Sequence, residues 1–180
     1  MTERPCPDRV RAYHEAGHAV LDLVFGYGLA HCSIESAGDE IGGVTKRISE
    51  SVADGHYPLI VAAGTWAEGT SGHDFEAEPC EDGSGGDRLN LQEILLDLFE
   101  IPEAERDARN VSVKRQHEID AMFDSAYDRI FEAVVESFNE PGRIDLLHEV
   151  SSLLLEHRTL PQDVLDNLNE RYPIRTSDGA

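Results

Sequence analysis

Two histidines and a glutamate stand together in the run His14-Glu15-Ala16-Gly17-His18. On a helix, residues four apart project from one face, so both imidazoles can reach one metal ion; Glu15, turned by about 100° from His14, lies beside an open coordination position. This is the arrangement that zinc-dependent hydrolysis needs. The metal lowers the pKa of a bound water and polarises a scissile carbonyl, while Glu15 takes the water's proton and returns it to the leaving amine. A catalytic zinc takes three protein ligands, so a third must come from elsewhere in the chain. Asp87 follows a glycine-rich turn at the start of a helix, and Glu68 ends another helix, where it could be a ligand or an acceptor behind one. Spacing alone does not choose between them. His31, His56 and His73 are further candidates, although a lone histidine in a loop is more often solvated, and His117, His148 and His157 fall on later helices as surface or satisfied core residues.

These groups need elements to carry them. Apolar residues from Val10 to Val24 recur at helical spacing, predicting a first helix from an Asp8 N-cap to Gly26. Residues 30–35 and 41–46 read as two short strands separated by turn-forming residues. Pro58 opens a helix to about Glu68, whose small residues Ala62, Ala63, Gly64 and Ala67 allow close packing. Residues 69–86 are acidic and rich in glycine, without apolar period, and read as an irregular loop; a helix from about Leu89 to Phe99 follows. The stripe from Ile119 to Phe138 predicts a long amphipathic helix over about 111–138, packed within the molecule. Further helices are expected over 143–157 and from Pro161 to Glu170, with a frayed tail over 171–180. The fold expected is mainly α with a small β element, one domain over 1–170.

Composition bounds the partners. With 36 acidic against 15 basic residues the net charge is −21, which repels phosphate backbones and anionic lipid and argues against nucleic acid and membrane. The three cysteines are far apart and form no CxxC pair, so neither a disulfide framework nor a thiolate zinc site is expected, and a reducing cytoplasm is the natural setting. The start of the chain has no apolar signal region, and no stretch is long enough to span a bilayer. The charge is uneven: residues 71–107 hold twelve acids against Arg88 and Arg106, a net of −10. Such a segment reads as a solvated face or salt adaptation, or more sharply as a field drawing cationic segments toward the Asp87 region.

The run 12–20, Ala-Tyr-His-Glu-Ala-Gly-His-Ala-Val, resembles the zinc-binding helix of FtsH-type metalloprotease domains. In order after it, Ser33-Ile34 and Ile41-Gly42-Gly43-Val44-Thr45 resemble that family's strand pair, and residues 62–68, ending in Ala67-Glu68, resemble its glycine-containing helix. Residues 83–87, Gly-Ser-Gly-Gly-Asp, fall where the family has a glycine turn and an aspartate ligand. The match covers about half the chain, over residues 10–100. It departs where Gly86 replaces a usual asparagine, where Arg88 replaces an apolar residue, and in the acidic insert 73–82.

What the resemblance implies is an FtsH-like helical zinc-protease domain in which His14, His18 and Asp87 bind Zn2+, Glu15 is the catalytic base and Glu68 orients a ligand histidine. Self-association is also implied, since the family forms rings. FtsH-type proteases carry an ATPase, yet no Gly-x-x-x-x-Gly-Lys-Ser/Thr loop occurs here. The expectation is therefore a zinc metalloendopeptidase acting on unfolded or flexible protein and peptide substrates, alone or with a separate ATPase motor. The strand 41–46 could be an edge on which substrate adds, or could merely complete the sheet. Two other readings remain at this stage: a non-catalytic zinc-binding regulatory domain using its acidic surface on a basic partner, and a stand-alone metallopeptidase cleaving one regulator.

Overall fold

A computed structural model describes residues 7–35, 43–73, 84–107 and 110–172. In chain order the elements are α1 (Asp8–Val24), β1 (Leu29–Ser33), β2 (Val44–Arg47), α2 (Tyr57–Thr70), α3 (Ser84–Leu98), α4 (Val113–Asn139), α5 (Arg143–His157), β3 (Thr159–Pro161) and α6 (Gln162–Arg171). A 3-10 turn, Glu103–Glu105, follows α3. The architecture is mainly helical with one small antiparallel sheet of order β2-β1-β3.

Helix α1 is the central element. Nearly every side chain from Val10 to Val24 is buried, against α2 on one side, α5 on another and the sheet on a third. Pro7 rather than Asp8 occupies the N-cap, and Asp8 lies in the first turn, where a carboxylate favours the positive end of the helix. The C-terminus closes as a Schellman turn: Gly26 takes φ +80°, its N–H donates to the Leu23 carbonyl, and the Tyr27 N–H donates to that of Asp22. Small residues set the approach of α2. A Cβ on Gly17 would overlap the Ala63 carbonyl and lie 2.8 Å from the Ala63 carbonyl carbon and the Ala67 methyl, so the two backbones meet where neither carries bulk.

On the far side, α5 contributes Leu146, Leu147, Val150 and Leu154, each fully buried, at about 2 kcal/mol of apolar transfer apiece. Helix α4 is capped by the Ser112 hydroxyl, which accepts from the Arg115 N–H at 3.3 Å. Its stripe is shallower than the periodicity implies. Ile119, Phe123, Val134 and Phe138 are buried, Tyr127, Ile130 and Phe131 only partly so, and Val135 is exposed.

In the sheet, Cys32 of β1 faces Thr45 of β2 and Leu160 of β3. Strand β2 has no neighbour on its outer side among the described residues. It is tied to α1 by an ion pair under the sheet, with Arg47 Nε 2.5 Å from Oδ1 of the fully buried Asp22. Burial raises the Asp22 pKa, against the pull of Arg47.

Two readings from the sequence need correction. The segment Ser84-Gly85-Gly86-Asp87 is not a turn before a helix but the first turn of α3, with Asp87 inside it. First-turn N–H groups need no intrahelical partner, so glycine's weakness as a helix former matters least there. The strand Thr159–Pro161 was not expected; at three residues, ending in proline, it carries no period-two pattern. Residues 41–42 of the expected second strand and the acidic stretch 74–82, together with Cys6 and Cys80, lie outside the described residues. So does most of the tail, 173–180.

Candidate metal centre

Three helices, α1, α2 and α3, meet at His14 and His18. Both project from one face of α1, with ring centroids 4.6 Å apart and planes at 84°. The Nδ1 atoms point to the α2 side. His18 Nδ1 lies 2.7 Å from the Ile60 carbonyl, which can only accept, so that nitrogen carries the proton. His14 Nδ1 lies 2.8 Å from Oε1 of the buried Glu68 and donates to its carboxylate. With both protons placed on Nδ1, each neutral ring presents a lone pair at Nε2. Gly64 makes this possible. A Cβ there would overlap the Nε2 edge of His18 and come within 2.9 Å of His14 Cε1.

The two Nε2 atoms lie 3.0 Å apart, and Asp87 Oδ2, reaching in from the first turn of α3, is 3.1 Å from one and 3.0 Å from the other. Despite those separations Asp87 Oδ2 is buried and in hydrogen-bond geometry with neither nitrogen. Two imidazole nitrogens, in hydrogen-bond contact with each other, and a carboxylate oxygen therefore crowd one small space. A cation would satisfy all three, and the donor set suits zinc. Ligands of a tetrahedral zinc with bonds of about 2.0 Å stand roughly 3.3 Å apart, close to the spacing here. Among the described residues this is the group of three His, Cys, Asp or Glu side chains able to hold a metal.

The carboxylates around the two rings favour positive charge on them. Burial lowers the His14 pKa, but Asp87 and Glu68 outweigh it and raise it to about 10. His18 is likewise pulled down by burial and pushed up further by Asp87. Burial raises the Asp87 pKa, yet the two imidazoles hold it well below the usual carboxylate range. In the metal-free chain these shifts have opposite signs. A raised histidine pKa stabilises the fold fully below its unfolded value of about 6.5, and that stabilisation is lost as pH rises toward about 10. A lowered aspartate pKa stabilises above its unfolded value and is lost as pH falls below the carboxylate range. Chelator-treated protein is therefore expected to lose several degrees of melting temperature between about pH 6.5 and pH 10. Zinc-loaded protein should show the reverse trend between about pH 5 and pH 8, because protons compete with the metal for Nε2. Thermal scans with and without chelator across that range check both signs.

Glu15, turned from His14 by one helical step, meets β2 and stays within electrostatic reach of His14, His18 and Asp87. It is buried, and its Oε2 accepts from the Thr45 hydroxyl at 2.9 Å. Burial raises its pKa, offset by the two histidines and by Thr45. The other histidines weighed from the sequence are elsewhere. His31 lies within β1, His56 Nδ1 is hydrogen-bonded with the Tyr27 hydroxyl at 2.9 Å, and His148 Nδ1 with that of Tyr13 at 2.9 Å. His117 and His157 are exposed, and His73 follows α2 outside the three-residue set.

A groove of about 960 Å³ is lined by none of His14, His18, Asp87 or Glu15, and is related to them through Thr45, which also bonds Glu15. It runs from Val44, Thr45 and Arg47 on β2, past Tyr57, to Leu98 and Ile130. Thr45 belongs to both places. Sequence spacing had no means of finding Thr45, the Ile60 carbonyl or the clearance at Gly64, since each acts through a contact between elements remote in the chain. A comparison with protein-family models finds no match for this chain, and a comparison with curated proteins finds none either.

Proposed function

We propose that the chain is a zinc-dependent metalloendopeptidase that hydrolyses peptide bonds in unfolded or flexible proteins, as its resemblance to FtsH-type protease domains implies. The observation that carries the reading is the convergence of His14 Nε2, His18 Nε2 and Asp87 Oδ2 within 3.0–3.1 Å of one another, next to a buried, separately held Glu15. These three atoms would hold zinc, which when bound supplies Lewis acidity toward a scissile carbonyl and an attacking water.

The chain's own residues do the rest. Glu68 and the Ile60 carbonyl fix the imidazole tautomers and ring orientations. Glu15 accepts the proton from the attacking water at a carboxylate oxygen and delivers it to the nitrogen of the departing amine, so the carboxylate is regenerated in each cycle. In the metal-free chain burial raises the Glu15 pKa, the direction that favours proton uptake at this carboxylate. The outer edge of β2 offers backbone groups on which an extended segment could pair.

Two steps test the proposal. Purified protein is first assayed for metal content, and then for cleavage of casein before chelation, after it and after zinc is restored. Cleavage that disappears with chelator and returns with zinc supports the reading. Zinc bound at one per chain with no cleavage would assign the centre to a non-catalytic domain instead.

A further inference from the structure

Resting on the hydrolase reading above, we infer that Thr45 is the positioning residue of the general base, holding Oε2 of Glu15 so that Oε1 is the oxygen that exchanges the proton. Thr45 lies on β2 directly across from Cys32 of β1. Its Oγ1 is 2.9 Å from Glu15 Oε2, 3.1 Å from the Glu15 carbonyl oxygen and 3.3 Å from Cys32 Sγ. A hydroxyl has one proton to donate. With Glu15 ionised the proton goes to the carboxylate, because a charge-assisted bond outweighs one to a carbonyl that the helix already uses. Cys32, fully buried with its thiol pKa pushed up by burial, stays protonated, and its one proton can go to the Thr45 oxygen or to the Glu15 carbonyl 3.6 Å away. The bond that fixes the carboxylate is therefore the one from the Thr45 hydroxyl to Oε2.

The other oxygen is left clear by a different residue. A Cβ on Gly43 would stand 2.5 Å from Glu15 Cγ and 2.7 Å from Oε1, and would also overlap the Ser33 carbonyl. Among the described residues no hydrogen bond is made to Oε1. Strand β2 therefore occupies one oxygen through Thr45, and Gly43, just before the strand, leaves space beside the other. In this scheme the Thr45 hydroxyl acts through Glu15.

The test compares Thr45→Val, which keeps the branched shape and removes the hydroxyl, with Thr45→Ser, which keeps the hydroxyl. Both are made in the full chain loaded with zinc and assayed on a casein-derived fluorogenic peptide. Carboxyl signals of 13C-labelled glutamate are followed by NMR, with the Glu15 signal assigned from its loss in Glu15→Gln. Thr45→Val is expected to lower kcat about 10- to 100-fold with KM and zinc content unchanged, and to shift the Glu15 signal. Thr45→Ser should keep that signal in place and restore most of kcat. Wild-type kcat with an unmoved Glu15 signal in Thr45→Val, or equal damage from both variants, overturns the inference. If the wild-type chain cleaves nothing, the hydrolase reading fails and so does the proton-exchanging part of this inference, while the Glu15 signal in the two variants still reports whether Thr45 holds the carboxylate.

Discussion

A Glu15→Gln protein is expected to bind zinc as fully as the parent and to cleave casein about 10²- to 10⁴-fold more slowly. The substitution changes little besides the chemistry. An amide oxygen can still accept from Thr45 at the position of Oε2, so the side chain keeps its place. Burial disfavours the Glu15 charge, so removing that charge should leave the melting temperature unchanged or slightly raised. What the amide cannot do is hold a proton and give it up. Metal analysis, thermal unfolding and an initial-rate assay on the same preparation separate these effects, and cleavage at the parent rate would remove Glu15 from the mechanism.

The second large effect concerns Asp87 against Glu68. Structural zinc sites with four ligands bind with about 10–16 kcal/mol, on the order of 3 kcal/mol per ligand, so Asp87→Ala is expected to weaken zinc by more than about a hundredfold. Glu68→Gln should cost less, about 10- to 100-fold, because its Oε1 meets His14 at Nδ1, on the opposite side of the ring from Nε2. Competition titrations with a zinc-sensitive chelator rank the two. A Glu68 variant that loses more affinity than the Asp87 variant would exchange their assignments.

The histidine pair was legible because helical periodicity is local. The spacing of four residues within an amphipathic run places both rings on one face wherever the helix goes. Helix α5, expected over 143–157, has those bounds in the structure for a similar reason: Pro141 and Gly142 precede it, and its leucines repeat at helical intervals. Asp87 was legible as a candidate, but its setting was not. Three of the four residues Ser84-Gly85-Gly86-Asp87 argue against helix by propensity, and the first turn of α3 forms there nonetheless. Glu68 stayed open between ligand and acceptor because only the packing of α2 on α1 decides which atom of His14 it meets. The clamp on Glu15 was invisible for a further reason. Thr45 sits in a four-residue strand whose pairing partner lies thirteen positions away, and nothing in its neighbours' types distinguishes it from an ordinary strand threonine.

The three atoms that converge come from helices alone, His14 and His18 from α1 and Asp87 from α3, whereas the hydroxyl holding Glu15 comes from the edge of the sheet. A metal centre of the proposed kind can therefore fail in two separable ways. Local opening of β2, a short strand with one paired side, would release the base and leave the helical set intact, giving a chain that retains metal but is inert. Loss of α3 from α2 would take Asp87 away and discard the metal while leaving Thr45 and Glu15 together. A temperature ramp that follows metal release and cleavage side by side would distinguish the two modes by which signal disappears first.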